Sequence, residues 1–249
     1  MNENQNQEFN GEEVWQDSSY TSTRTMGDSQ ELMSRVATKS LMVTFIGLIV
    51  TTIVAYLTCS NISFMVELVL SGAYTFLIIA ELVVVLVNSW AISKKNIALA
   101  GVLFGVYSII NGLTLSVVLF AYEIGTVQEA FLMSAIVFGV MAAYGYFTKK
   151  DLSSIGSICT MALLGVILVS LLNAFVFKSS GMDLMLDYIV VLLFVGITAF
   201  DMYRMKQMAV AGGEEEVNRI ALFTGMQLYL DFINIFLRLI RIMGRNSRN

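Results

Sequence analysis

From about residue 37 to residue 243 the chain is nearly unbroken apolar sequence, a run of 207 residues with few charges and, like the rest of its 249 residues, no proline. A bilayer-crossing helix needs roughly 20 apolar residues. At about 30 residues per span and connection, the run divides into about seven spans. Composition agrees: the chain is 57% hydrophobic and 14% charged, against about 45–50% and about 25% in soluble globular domains. The expected fold is an all-α polytopic membrane protein with helices near 37–58, 68–92, 96–122, 128–147, 155–177, 184–206 and 219–242. The missing proline removes the usual kink-former from every span.

Histidine is absent too. That excludes imidazole metal sites, histidine-based catalytic triads and imidazole pH sensing, so proton sensing near neutrality falls mainly to carboxylates. Residues 1–36 hold seven acids against Arg24 and Arg35, a net −5, whereas the remainder holds twelve acids and thirteen bases, a net +1. The acidic balance therefore belongs to the amino end, and it argues against nucleic-acid binding. Residues 1–34 read as a disordered acidic cytoplasmic tail without the basic and apolar regions of a signal peptide. Residues 35–244 read as a seven-helix transmembrane domain, and 245–249 as a short basic C-terminal tail.

Basic residues alternate along the chain. Arg35 and Lys39 flank the first span, Lys94 and Lys95 follow the second, Lys149 and Lys150 follow the fourth, and Arg204, Lys206 and Arg219 bracket the sixth loop. The intervening loops carry Glu67, Glu123, Glu129, Asp183, Asp187 and the single base Lys178. The positive-inside rule then places the N-terminus in the cytoplasm, and the compact loops suggest a bacterial cytoplasmic membrane. The pattern breaks at the seventh span, because Arg238, Arg241, Arg245 and Arg248 emerge outside if it crosses fully. Either its neighbours hold it across against the charge rule, or it is re-entrant. Cys59 and Cys159 fall at opposite ends of their spans, too far apart for a disulfide, and are expected as free thiols. Gly101 and Gly105 have GxxxG spacing and read as a close-packing pair.

Ionisable groups at membrane depth are expensive and read first as functional. Three stand out: Glu81 midway along the second span, Asp201 in the cytoplasmic half of the sixth, and Asp231 near the middle of the seventh. Thr224, Gln227, Asp231, Asn234, Arg238 and Arg241 are spaced 3, 4, 3, 4, 3, which sets them on one helical stripe. Lipid does not tolerate such a stripe, so it must face protein or a water-filled cavity, and the seventh span is expected at the bundle centre. Gln227 and Asn234 taken alone read as polar glue between helices. Asp231 outweighs that reading, since an acid costs about 2.5–3.5 kcal/mol on insertion scales. Asp201 has a rival reading as a boundary acid paired with Arg204 or Lys206.

At these residues a resemblance becomes visible. The segment Leu228-Tyr-Leu-Asp-Phe-Ile-Asn-Ile-Phe-Leu-Arg-Leu-Ile-Arg-Ile-Met-Gly244 resembles the terminal helix of the transmembrane Bax inhibitor family, bacterial branch. Gly112-Leu-Thr-Leu-Ser116, Lys149-Lys-Asp-Leu-Ser153 and Ala199-Phe-Asp-Met-Tyr-Arg-Met-Lys206 add weaker matches, so that residues 30–244 are covered. The resemblance implies two three-helix groups around a central C-terminal helix that crosses fully. It also implies a pH-dependent calcium leak, not an enzyme, with Asp201 and Asp231 as the sensor and gate. Glu81, with Asn234 and Gln227, would line the ion path, and calcium would bind transiently near the aspartates with no tightly bound metal or cofactor. Some bacterial relatives carry an arginine just after the tryptophan of the second span that latches onto the aspartates. Here the stretch reads Trp90-Ala-Ile-Ser-Lys-Lys95, leaving Lys94 or Lys95 as substitutes without the planar fork suited to two carboxylates.

Two other readings compete. Some bacterial relatives modulate a membrane-bound ATP-dependent protease, and the acidic tail would be the handle for such a partner. Two membrane aspartates are also what an intramembrane aspartyl protease needs, but Thr198-Ala-Phe precedes Asp201 instead of Gly-x-Gly, and a proline-containing motif is impossible here.

Overall fold

A computed structural model describes the backbone of residues 11–246 and the side chains of residues 27–245. Among these the fold is helical and without strands: α1 (Gly11–Ser60), α2 (Ile62–Leu70), α3 (Ala73–Ser93), α4 (Ile97–Phe120), α5 (Ile124–Phe147), α6 (Ser153–Leu172), α7 (Ser180–Gly212) and α8 (Val217–Asn246). A π-helical turn, Asn173–Phe177, extends α6, and a 3-10 turn, Glu214–Glu216, leads into α8. Seven stretches are long and apolar enough to cross a bilayer: Gly27–Ser60, Ala73–Ser93, Ile97–Phe120, Ile124–Phe147, Ser153–Phe177, Ser180–Gly212 and Glu214–Arg245.

Residues 1–10 of the expected acidic tail lie outside the described residues, but from Gly11 onward the backbone is helical and continuous with the first span. Its last two turns have tertiary support: Leu32 and Met33 pack against the core, and Arg35 bridges Glu31 at 2.7 Å and Glu214 at 3.0 Å. The second span also begins later than expected. The short α2 precedes it, and the chain turns at Gly72, whose φ of +76° suits a residue without Cβ. Asn61 and Asn96 cap α2 and α4 by accepting from the backbone N–H groups of Phe64 and Leu99.

Helix α8 occupies the centre. No residue from 219 to 245 is fully exposed, and 67% of its apolar window is buried, against 44% or less for every other span. It packs against α1, α7 and α5, and less extensively against α4 and α3. Around it, α1 packs on α4, α4 on α3, and α7 on α5, α6 and α1. Tyr229 of α8 is completely buried, with its hydroxyl 2.6 Å from Thr51 Oγ1 of α1 and its ring edge-on to Phe104 and Tyr107 of α4.

Helices close up where glycine allows it, though not at Gly101 and Gly105. A Cβ at either would meet nothing within 4 Å, so the GxxxG packing reading is corrected. Spacing alone says nothing about which face of a helix meets a partner. The close approaches are Gly145 against the Ala199 backbone, Gly112 against Thr51 O and Gly225 against Ser40 O.

The seventh candidate span is one continuous helix, α8. At the end where α1 enters the bundle, here termed the N-terminal face, Lys39 donates to Asn218 at 2.7 Å and Lys95 pairs with Glu216 at 2.5 Å. At the far face, Arg245 donates to the Ser180 carbonyl at 2.6 Å and Gly244 lies under the Tyr122 ring. Cys59 and Cys159 are free thiols, as expected.

Candidate functional site in the α7–α8 hairpin

Helices α7 and α8 are antiparallel neighbours, joined through Gly213 (φ +65°) and the Glu214–Glu216 turn. Asp201 on α7 and Asp231 on α8 are both buried, at 5% and 3% exposed. Asp201 is the charged group whose field bears on Asp231, and Thr198 precedes Asp201 by about one turn. The Thr198 hydroxyl is committed to the Phe194 carbonyl at 2.8 Å. Asp231 Oδ2 is buried with no hydrogen-bond partner among the described residues. A buried unpaired carboxylate oxygen is costly.

No described cation neutralises the pair. Lys206, one of the expected partners of Asp201, instead donates to the Tyr146 and Thr148 carbonyls at 2.6 and 2.8 Å, capping the end of α5. Arg204, the other, lies over the Phe223 ring at 5.6 Å and forms no ion pair among the described residues, although its charge is felt at Asp201. The boundary-pair reading is corrected: Arg204 sits three residues on and turns toward α8, where an aromatic face is available. Lys95 does not act as a substitute latch, because Glu216 holds it.

The rest of the stripe divides between two environments. Thr224 is fully buried with its hydroxyl unpartnered among the described residues. Gln227 is half-buried, and Asn234 donates to the Leu230 carbonyl at 2.8 Å. Arg238 and Arg241 meet Asp187, at 2.8 and 3.5 Å. Glu81 stands apart from the aspartates: half-buried on α3, it accepts from Thr114 Oγ1 at 2.6 Å. Asp187, read from sequence as a loop acid, is 1% exposed. The missed signal was its place four residues into the apolar run of the sixth span, level with Arg238 and Arg241 once the two spans are antiparallel. Asn88 is fully buried on α3 with both amide atoms unpartnered among the described residues. Among the described residues no three Cys, Asp or Glu side chains converge as a metal-binding group.

The sequence profile described as "Inhibitor of apoptosis-promoting Bax1" matches residues 33–248. The chain belongs to the Bax inhibitor family. Among relatives, the inner membrane protein YbhL of Escherichia coli is 38% identical over 207 residues, covering 80% of this chain and 86% of YbhL. A Deinococcus radiodurans protein is 38% identical over 230 residues, covering 92% and 96%. A Streptococcus pyogenes membrane protein is 41% identical over 169 residues, covering 68% and 73%. The Bax inhibitor match covers the first candidate crossing from residue 33 and the other six in full, includes Asp201 and Asp231, and begins beyond most of the acidic tail. This member of the family is an integral membrane protein.

Proposed function

We propose that this protein is a pH-dependent calcium leak gated by Asp201 and Asp231. The observation that carries the reading is an unpartnered, buried Asp231 Oδ2 within charge range of a second buried carboxylate on the neighbouring helix. Gaining or losing a shared proton changes the charge between α7 and α8, and so changes the preferred spacing of the two helices. Calcium takes oxygen ligands, which the two aspartates supply together with the amide oxygens of Gln227 and Asn234. Glu81 continues the path toward the far face. The N-terminal face is assigned to the cytoplasm, because Arg35, Lys39, Lys95 and Lys206 gather there, while the arginines at the far end of α8 are compensated by Asp187, Asp183 and the Ser180 carbonyl. The bacterial inner membrane is the proposed location, in line with the name of YbhL.

The test is calcium entry into proteoliposomes over a range from mildly acidic to mildly alkaline pH. Wild-type flux should vary with pH and Asp231→Asn should flatten the profile, with the variant's fold checked by circular dichroism. An unchanged profile would remove Asp231 from the gate.

A further inference from the structure

At the N-terminal face, α3, α7 and α8 enclose a cavity of about 450 Å³ whose wall includes Ser89, Ser93, Arg204, Arg219 and Phe223. Its charge is unbalanced. Arg204, largely exposed, has its guanidinium over the Phe223 ring and neither an ion pair nor a hydrogen bond among the described residues. Arg219 engages Glu216 through Nε, leaving its two terminal nitrogens uncommitted, and Glu216 is already shared with Lys95. Glu216 is thus divided between two cations, while Arg204 has no ion-pair partner among the described residues.

Several helix-end carbonyls near these arginines already have backbone partners. The backbone N–H groups of Lys94, Lys95 and Asn96 donate to the carbonyls of Trp90, Ile92 and Ala91, and the Gly213 N–H donates to Ala209. The Ser93 hydroxyl donates to the Trp90 carbonyl, whereas no described group engages the Ser89 hydroxyl. What remains is a concave site between spans with two guanidinium groups, one of them lying over an aromatic ring at 5.6 Å. A planar fork of this kind matches a phosphate group in a bidentate way. Basic pockets between spans near the membrane surface are suited to anionic headgroups.

We propose that this cavity binds a phosphate-bearing anion, held by Arg204 and Arg219 with the Ser89 hydroxyl as a further donor. The group is either the headgroup of an anionic phospholipid or a free phosphate, and the site does not depend on the leak reading.

The experiment uses the full chain in non-ionic detergent, with short-chain phosphatidylglycerol, short-chain phosphatidylcholine and inorganic phosphate as probes. Melting temperature and retention of the probe in native mass spectrometry are the readouts. Phosphatidylglycerol should raise the melting temperature while phosphatidylcholine does not, and Arg204→Gln combined with Arg219→Gln should reduce that shift several-fold. Lys150→Gln, a cation of the same face outside the cavity, should keep it. An equal rise with inorganic phosphate assigns free phosphate, and a rise with the lipid alone assigns the headgroup. If neither probe binds, or the double variant responds like wild type, the arginines are merely solvated and the proposal is overturned. Arg204→Gln alone breaks no described ion pair, so it keeps the test open if the double variant fails to fold. Calcium flux is not read, so failure here leaves the leak reading untouched.

Discussion

Asp187 is the residue whose loss the bundle should feel most. Its Oδ1 receives Arg238 at 2.8 Å and lies 3.5 Å from Arg241, while Oδ2 and Arg238 Nε are buried without hydrogen-bond partners among the described residues. Removing one member of a buried pair typically costs about 3–5 kcal/mol, because the other charge is left stranded. Asp187→Asn should therefore lower the melting temperature of the purified protein markedly, and Asp187→Leu with Arg238→Leu should recover much of the loss by replacing the pair with apolar packing. An unchanged melting temperature in Asp187→Asn would mean that water reaches Arg238. At this scale the sequence was legible where an acid interrupts a long apolar run, as at Asp201 and Asp231. It misled where the partner lies on another helix: the environments of Asp187 and Arg204 depend on which helix faces each, and spacing along one helix does not contain that.

The spans themselves were readable from apolar runs, because bilayer thickness sets their length almost regardless of neighbours. Contact faces were not, and glycine shows why. Gly145 lies directly against the Ala199 backbone, so Gly145→Ala forces α5 away from α7 and should lower thermal stability, whereas Gly105→Ala fills open space. Melting both variants in one detergent checks the contrast, and equal effects would refute the packing. The start of α6 carries a pH prediction. Exposed Asp151 accepts from Ser153, whose hydroxyl and backbone N–H hold the carboxyl below its ordinary range. A lowered folded-state value means that the stabilisation is present above the unfolded value of about 3.9 and is lost as pH falls through the folded one. Asp151→Ala should therefore melt below wild type at neutral pH, with the gap closing under strongly acidic conditions.

The described residues hold seven candidate crossings, an odd number that would put the two ends on opposite sides. Single cysteines in place of Ser29 and Arg245, in a background lacking Cys59 and Cys159, should each react with a membrane-impermeant maleimide from one side only, and from opposite sides. Labelling of both from the same side would refute the continuous α8. The central position of α8 also bears on how the protein is made. Its polar stripe and paired arginines leave it no side fit to face lipid, yet it follows every other span in the sequence. The earlier spans thus enter the bilayer before the helix they surround exists. During biogenesis they must wait around an unfilled centre, and assembly is completed by a helix that leaves the insertion machinery only into the company of its neighbours.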